Sequence, residues 1–257
     1  LGNGNQIGMI LLNYLMTRNA ELGRLTGKEY IVKTIVTTET IKSIADKNNI
    51  RMYDCYTGFK WIAAVIRENE GVNRYLGGGE ESYGFLAEEF ARDKDSVSAI
   101  SLMAECLAWA KDKGMSFMEM LQDIYVKYGF SREEGISVVR PGKTGAEEIQ
   151  KMMTEFRENP PKEIGGSPLV TIKDYLTLKA TDVKTGDVAL LDFPTTSNVL
   201  QYFTEDGSKI SIRPSGTEPK IKFYIEVHDK MASKADYDRC NADAAAKIAR
   251  IKKELGI

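Results

Sequence analysis

Apolar residues recur at two different periods along this chain, and the change of period divides it. Over 5–18, Ile7, Ile10, Leu11, Tyr14 and Leu15 fall at helical spacing behind an Asn-rich start that can cap the first turn, which predicts an amphipathic helix. The run 30–38 is rich in β-branched residues and hardly alternates, as expected of a strand buried on both faces. A helix over 40–48, a strand over 51–56, a turn at Thr57-Gly58 and a helix over 60–69 carrying Trp61, Ile62, Val65 and Ile66 follow. A third strand around Tyr75 and Leu76 runs into Gly77-Gly78-Gly79, and helices are predicted over 96–111 and 116–128. Strands alternating with helices indicate a mainly parallel, three-layer α/β/α domain, in which ligands gather beyond the carboxyl ends of the strands. The junctions 57–60, 80–82 and 92–95 are thereby expected at one edge of the sheet.

Past Gly129 the pattern shifts toward alternation. A short strand is predicted over 136–139, a helix over 144–158 stopped by Asn159-Pro160-Pro161, and a strand over 170–178. Strands over 198–203 and 209–212 flank Glu205-Asp206-Gly207, a hairpin signal. Over 220–228, Ile221, Phe223, Ile225 and Val227 alternate with Lys222, Tyr224, Glu226 and His228, which predicts an antiparallel strand with one solvated face. An Ala-rich helix over 234–255 completes the pattern. The chain thus reads as a helical remnant of a preceding α/β domain (1–22), an α/β domain (23–130), and a smaller α+β domain (131–257) with an antiparallel sheet and helices on one face.

Composition narrows the function classes. At 257 residues and 42% hydrophobic content, the chain can bury substantial cores. A net charge of -2 provides no basic stripe for nucleic acid, so an anionic ligand has to be held locally. The apolar run 7–16 is interrupted by Asn13 and lacks a basic leader, so neither a membrane span nor a signal peptide is expected. Cys55, Cys106 and Cys240 are widely spaced without a CxxC pair, which argues against a disulfide framework or zinc site and fits a reducing cytoplasm. The sequence opens Leu1-Gly2-Asn3-Gly4 without Met, as expected of a piece of a longer protein.

Few residues carry recognisable chemistry. His228 is the single histidine and sits on the polar side of a strand, so no Ser-His-Asp set is available and a general-base role is not expected. Asp93-x-Asp95 is only a pair flanked by Arg92 and Lys94, and no metal site is predicted in this chain. In 79–84, Gly-Glu-Glu-Ser-Tyr-Gly, a strand end can aim Glu80 and Ser82 to one side, a combination suited to sugar hydroxyls; a flexible loop with incidental charge is the competing reading. In 213–219, Arg-Pro-Ser-Gly-Thr-Glu-Pro, a guanidinium fork, two hydroxyls and a glycine suit an oxyanion, against the plainer reading of a strand-end turn. Glu218 is expected to point away from any bound anion.

Read together, Thr-Gly-Phe-Lys at 57–60, Gly-Glu-Glu-Ser-Tyr-Gly at 79–84, Arg-Asp-Lys-Asp at 92–95 and Arg-Pro-Ser-Gly-Thr-Glu-Pro-Lys at 213–220 resemble, in order and spacing, the α-D-phosphohexomutase family, and most of all its phosphoglucomutase branch. The resemblance covers essentially the whole chain, as the end of the family's second domain, its third and its fourth. It implies that Glu80 and Ser82 hold sugar hydroxyls, that Thr57, Gly58 and Lys94 line the substrate site, and that Arg213, Ser215, Gly216 and Thr217 hold the phosphate that is not reacting. It further implies interconversion of glucose 1-phosphate and glucose 6-phosphate through a phosphoserine, Mg²⁺ and a glucose 1,6-bisphosphate intermediate. The family's Asp-x-Asp-x-Asp-Arg metal loop and phosphoserine loop do not occur in these 257 residues, so no catalytic or metal residue is expected in this chain and, alone, it is expected to be inactive. Its expected partners are a phosphorylated hexose and N-terminal domains of the same polypeptide. A phosphomannomutase, a phosphopentomutase and a non-catalytic phosphosugar-binding module are the alternatives.

Overall fold

The computed structural model describes residues 2–216 and 218–257, the side chain of residue 143 excepted. The chain divides into unit 1, Leu1–Phe130 with Lys230–Tyr237, and unit 2, Ser131–Asp229 with Asp238–Ile257.

Unit 1 runs α1 (Gly4–Glu21), β1 (Glu29–Thr34), α2 (Thr40–Lys47), β2 (Arg51–Cys55), α3 (Phe59–Asn69), β3 (Arg74–Gly79), β4 (Phe85–Ala87), α4 (Ser96–Asp112) and α5 (Phe117–Tyr128). Its sheet has the order β2-β1-β3-β4, with the first three strands parallel and β4 antiparallel to β3. The chain steps from β1 to β2 on one side, then back across β1 to β3. Right-handed crossovers in opposite directions put α2 and α3 on opposite faces, which makes the three layers. Tyr30, Val32, Cys55, Phe59, Ile62, Ile66, Tyr75 and Leu86 form the core beneath α3. All six β1 positions are buried, as a central strand between two helical layers requires. The reversal of strand order also places the switch point, where such sheets open a ligand crevice, at the carboxyl ends of β1 and β3.

The first helix departs from expectation in its burial. Met9, Ile10, Leu11, Leu12, Tyr14 and Met16 are all buried, so α1 is enclosed and not amphipathic. It packs inside unit 1. A Cβ on Gly77 of β3 would lie 3.1 Å from Leu15 Cδ1 and 3.2 Å from Leu12 Cδ2, so helix and strand meet at glycine distance. The helix finds its sheet at β3, far along the chain, which hides the pairing from a reading of adjacent segments.

Unit 2 contains most of β5 (Phe130–Val139), then α6 (Gly142–Glu158), β6 (Glu163–Ile164), β7 (Ser167–Asp174), β8 (Lys179–Asp182), β9 (Val188–Leu190), β10 (Leu200–Thr204), β11 (Lys209–Pro214), β12 (Lys220–Asp229) and α7 (Tyr237–Leu255), whose start belongs to unit 1. The sheet order is β5-β12-β11-β10-β7-β8-β9, and β12, β11, β10, β7, β8 and β9 pair antiparallel in succession. α6 packs on β11 and β12, with Phe156 edge-on to Phe223 at 5.9 Å. Cys240, Ala244, Ile248 and Ile251 are the buried residues of α7.

The polar side of β12 is solvated only in part: Lys222, Tyr224 and His228 are half-buried, while Glu226 is enclosed. Glu226 is 2% exposed, paired across the strands with Lys209, itself 0% exposed, at 3.1 Å. His228 Nε2 lies 3.0 Å from the other Glu226 oxygen. Burial opposes a charged His228, but Glu226 outweighs it and raises the imidazole above its usual value of 6.5. Tyr175, Gln201 and Ser211 continue the buried polar layer through 2.8 Å hydrogen bonds, with Tyr175 donating to Gln201 and Gln201 to Ser211. Alternation identifies two faces of a strand; it does not say that polar residues on one face satisfy each other instead of water.

Candidate functional site

In unit 1, the parallel register aligns Thr34 of β1 with Cys55 of β2, and Lys33 of β1 with Gly79 of β3, so the three following loops leave from one edge. Gly58 stands at the start of α3 with φ 110°, a left-handed conformation that suits glycine. Its N–H donates to Glu80 Oε1 at 2.7 Å, which ties the β2 loop to the β3 loop. The base of the 79–84 loop is closed by Glu80 N–H donating to Gly84 O at 2.8 Å. A Cβ on Gly84 would lie 3.0 Å from Glu80 Oε2 and 3.1 Å from Lys94 Cδ, so carboxylate and lysine stem converge where no side chain intervenes. The Lys94 ammonium lies 5.8 Å from the Phe59 ring centre. Gly58, Glu80 and Lys94 are therefore brought together, with Thr57 beside Gly58. Ser82 stands at the exposed loop apex next to Tyr83, whose φ is +72°.

Behind this edge lies a cluster that the sequence patterns do not single out. Lys33 is 0% exposed and its ammonium lies 2.7 Å from Asp54 and 3.0 Å from Glu39. Burial works against its charge, yet the two carboxylates hold its pKa above the ordinary lysine range. Thr34 donates to Glu81 Oε2 at 3.4 Å and shares a 2.8 Å hydrogen bond with Thr37. A lysine inside a β-branched run is the available signal, since a doubly buried strand can hold a cation only with acidic partners nearby. Asp95 caps α4 by accepting the Ser98 N–H at 2.9 Å, and Asp93 accepts the Lys94 N–H at 2.8 Å. Local donors hold both carboxyls below the usual range, the Lys94 backbone N–H for Asp93 and Ser98 for Asp95. Among the described residues, no group of three or more His, Cys, Asp or Glu side chains is placed to hold a metal ion.

In unit 2, the 213–219 loop joins β11 to β12 where Arg213 pairs across the strands with Lys222. Ser215 N–H donates to Lys220 O at 2.8 Å and Lys220 N–H to Glu218 O at 2.7 Å, while Arg140 N–H donates to Pro219 O at 2.9 Å. Glu218 is engaged by Lys220 at 2.5 Å, and that hydrogen bond lowers its pKa. Arg213 is half-buried, and among the described residues its guanidinium has no ion-pair partner. Like charges directly opposite on a sheet destabilise it, so Arg213 facing Lys222 is a pairing that an anion would relieve. The sequence marks Lys222 only as a polar-face residue. Gly216 is exposed with no atom within 4 Å of a would-be Cβ, and Thr217 lies outside the described residues.

These two loops sit in segments that match known proteins. Residues 3–128 match the family of phosphoglucomutase/phosphomannomutase alpha/beta/alpha domain III, and residues 172–238 match the C-terminal domain of the same enzymes. The chain belongs to the phosphoglucomutase/phosphomannomutase family. The domain III match begins at residue 3, so it takes in α1, in keeping with that helix's place in unit 1. A phosphoglucomutase of Staphylococcus aureus strain MRSA252 is 38% identical over 225 residues, which cover 88% of this chain and 40% of that protein. The chain thus spans two fifths of the length of such a mutase. Solved structures with the same fold include the Paramecium exocytosis-sensitive phosphoprotein pp63/parafusin, a phosphoglucomutase, in its open form (TM-score 0.63, 20% identity, covering 99% of this chain and 41% of that one). A phosphomannomutase-related protein of Thermus thermophilus superposes with a TM-score of 0.56 at 14% identity, covering 96% of this chain and 40% of that one.

Proposed function

We propose that this chain supplies the substrate-holding part of a phosphoglucomutase, which interconverts glucose 1-phosphate and glucose 6-phosphate through a phosphoserine and glucose 1,6-bisphosphate. The observation that carries the reading is Arg213 opposite Lys222 at the mouth of a serine- and glycine-containing loop, two like charges that an oxyanion could bridge, with the Glu218 carboxylate near enough to Lys222 to feel its charge. Arg213 would grip the non-reacting phosphate with its planar fork, and Ser215, Gly216 and Thr217 would add hydroxyl and backbone donors. The Glu218–Lys220 pair keeps that carboxylate engaged and away from a free role as a repelling charge. In unit 1, Glu80 and Ser82 would hold sugar hydroxyls, with Thr57, Gly58 and Lys94 lining the site.

The chain's contribution is positional. A sugar bisphosphate that must present either end to one phosphoryl donor needs its hydroxyls and distal phosphate gripped in two orientations, and such positioning is a large share of phosphoryl-transfer catalysis. The phosphoserine and Mg²⁺ of this chemistry would be held by preceding domains. Cys55, Cys106 and Cys240 are buried as thiols, which is compatible with a cytoplasmic enzyme. The test is a coupled assay of glucose 6-phosphate formation from glucose 1-phosphate, run on the 257-residue chain and on the natural polypeptide that contains it. Turnover is expected only from the latter and should fall with Arg213→Ala; turnover by the chain alone, or an Arg213→Ala enzyme with unchanged kinetics, overturns the reading. Preferential turnover of mannose 1-phosphate would reassign the sugar.

A further inference from the structure

We infer that the first turn of α1 is a positioning element for the sugar-binding loop, with Gly4 as its contact residue. The inference rests on the proposed role of the 79–84 loop and goes beyond it. The ends of that loop are fixed by the Glu80–Gly84 and Glu80–Gly58 hydrogen bonds. Its apex, which carries Ser82, is reached from β1 by the Thr34–Glu81 hydrogen bond and rests on α1. A Cβ on Gly4 would lie 2.0 Å from Glu81 O, 2.7 Å from Glu81 C and 2.8 Å from Tyr83 N. All three are backbone atoms, so no side-chain rotation could relieve the overlap. Either the apex or the helix would have to move.

The helix is the less yielding of the two. Asn3 and Gln6 close its start with reciprocal hydrogen bonds of 2.9 and 3.0 Å. Asn5, 7% exposed, accepts the Thr38 N–H at 3.0 Å and so fastens the same turn to the loop after β1. Leu12 and Leu15 lock the next turns against Gly77. The partly open space between Gly4, Ile7, Gly8, Tyr83 and Phe85 leaves about 10 Å³, at the lower limit for a single water. A close-packed contact of this kind transmits a displacement and does not absorb it. The Glu81–Tyr83 backbone, and with it the Ser82 hydroxyl, therefore takes its position from a helix that lies more than seventy residues earlier in the chain.

The experiment compares Gly4→Ala with Gly8→Ala, one turn along the same helix, where a Cβ meets only Ile41 Cδ1 at 3.8 Å. Amide resonances of the 257-residue chain are followed without ligand, then during titration with glucose 1-phosphate and separately with inorganic phosphate. Gly4→Ala should shift the Glu81, Ser82 and Tyr83 amides and weaken glucose 1-phosphate about tenfold, roughly the 1.4 kcal/mol equivalent of one misplaced polar contact. Inorganic phosphate binding should be unchanged. Gly8→Ala should leave all three readouts as in the parent chain. If Gly4→Ala does not fold, Asn5→Ala serves instead, with smaller shifts at the same amides and a loss of a few fold. Unshifted 81–83 amides in whichever of these variants folds, or equal effects from Gly8→Ala, overturn the inference. Ser82→Ala separates it from the functional reading: if that variant binds glucose 1-phosphate normally the sugar assignment fails, and if it binds poorly while Gly4→Ala binds normally the positioning role fails.

Discussion

Replacing Glu80 by Ala tests how the sugar loop is both built and used. In the resting chain, Glu80 Oε1 accepts the Gly58 N–H at 2.7 Å, and its second oxygen lies beside Gly84 and the Lys94 stem. A hydrogen bond to an ionised group contributes about 1.5–3 kcal/mol, and water can partly replace it at half-exposed Gly58, so a stability loss near the lower figure, about 1.5 kcal/mol, is expected. In the bound state the same carboxylate would accept from sugar hydroxyls. Two such bonds at about 1.5 kcal/mol each make about 3 kcal/mol, or roughly a hundredfold in affinity for glucose 1-phosphate. Glu80→Gln keeps an acceptor for Gly58 but loses the charge, so about a tenfold loss is expected, with little change in stability. The assay is calorimetric or resonance titration with glucose 1-phosphate, paired with inorganic phosphate, whose affinity should not move. A Glu80→Ala chain that is folded and binds glucose 1-phosphate within twofold of the parent would refute the assignment of Glu80 to the sugar.

Arg213→Lys keeps the charge opposite Lys222 but not the planar fork, so phosphate affinity should fall about tenfold, about 1.4 kcal/mol; an unchanged affinity would show that the fork is not used. Gly78→Ala would put a Cβ 2.2 Å from Val32 O and 2.7 Å from the Tyr75 hydroxyl in the middle of the sheet, and urea unfolding should show a loss of about 3 kcal/mol or more. A loss below about 1 kcal/mol would mean that the β1–β3 spacing is not set by that glycine. Because His228 is raised above 6.5 by Glu226, its contribution to stability is present in full below that pH and is lost as pH rises through the higher folded-state value. His228→Gln should flatten that part of the pH–stability curve, and an unaltered curve would remove the Glu226 pairing as its cause.

Local chemistry wrote much of this protein into its sequence. The β-branched run at 30–38, the helical spacing of Ile62, Val65 and Ile66, and the hairpin signal at Glu205-Asp206-Gly207 each specify an element through interactions between near neighbours, and each element is present, although the first strand ends at Thr34 and the rest of that run turns into the following loop. The arginine, serine and glycine of 213–219 and the glutamate and serine of 79–84 likewise name their chemistry by residue type. Short strands such as β4, β8 and β9 lack the length for a periodic signal, and only pairing with β3, β7 and β8 respectively makes them strands. The enclosure of α1, the burial of Lys33 between Asp54 and Glu39, and the burial of Glu226 against Lys209 depend on which distant segment arrives alongside. The 79–84 loop shows the division most plainly: its residue types mark it as a candidate in the sequence, but its bond to Gly58 and its contact with Gly4 exist only once a parallel sheet and an early helix meet at one edge. Hydrogen-bonding capacity is a property of the residue, whereas its partner and position are properties of the packing.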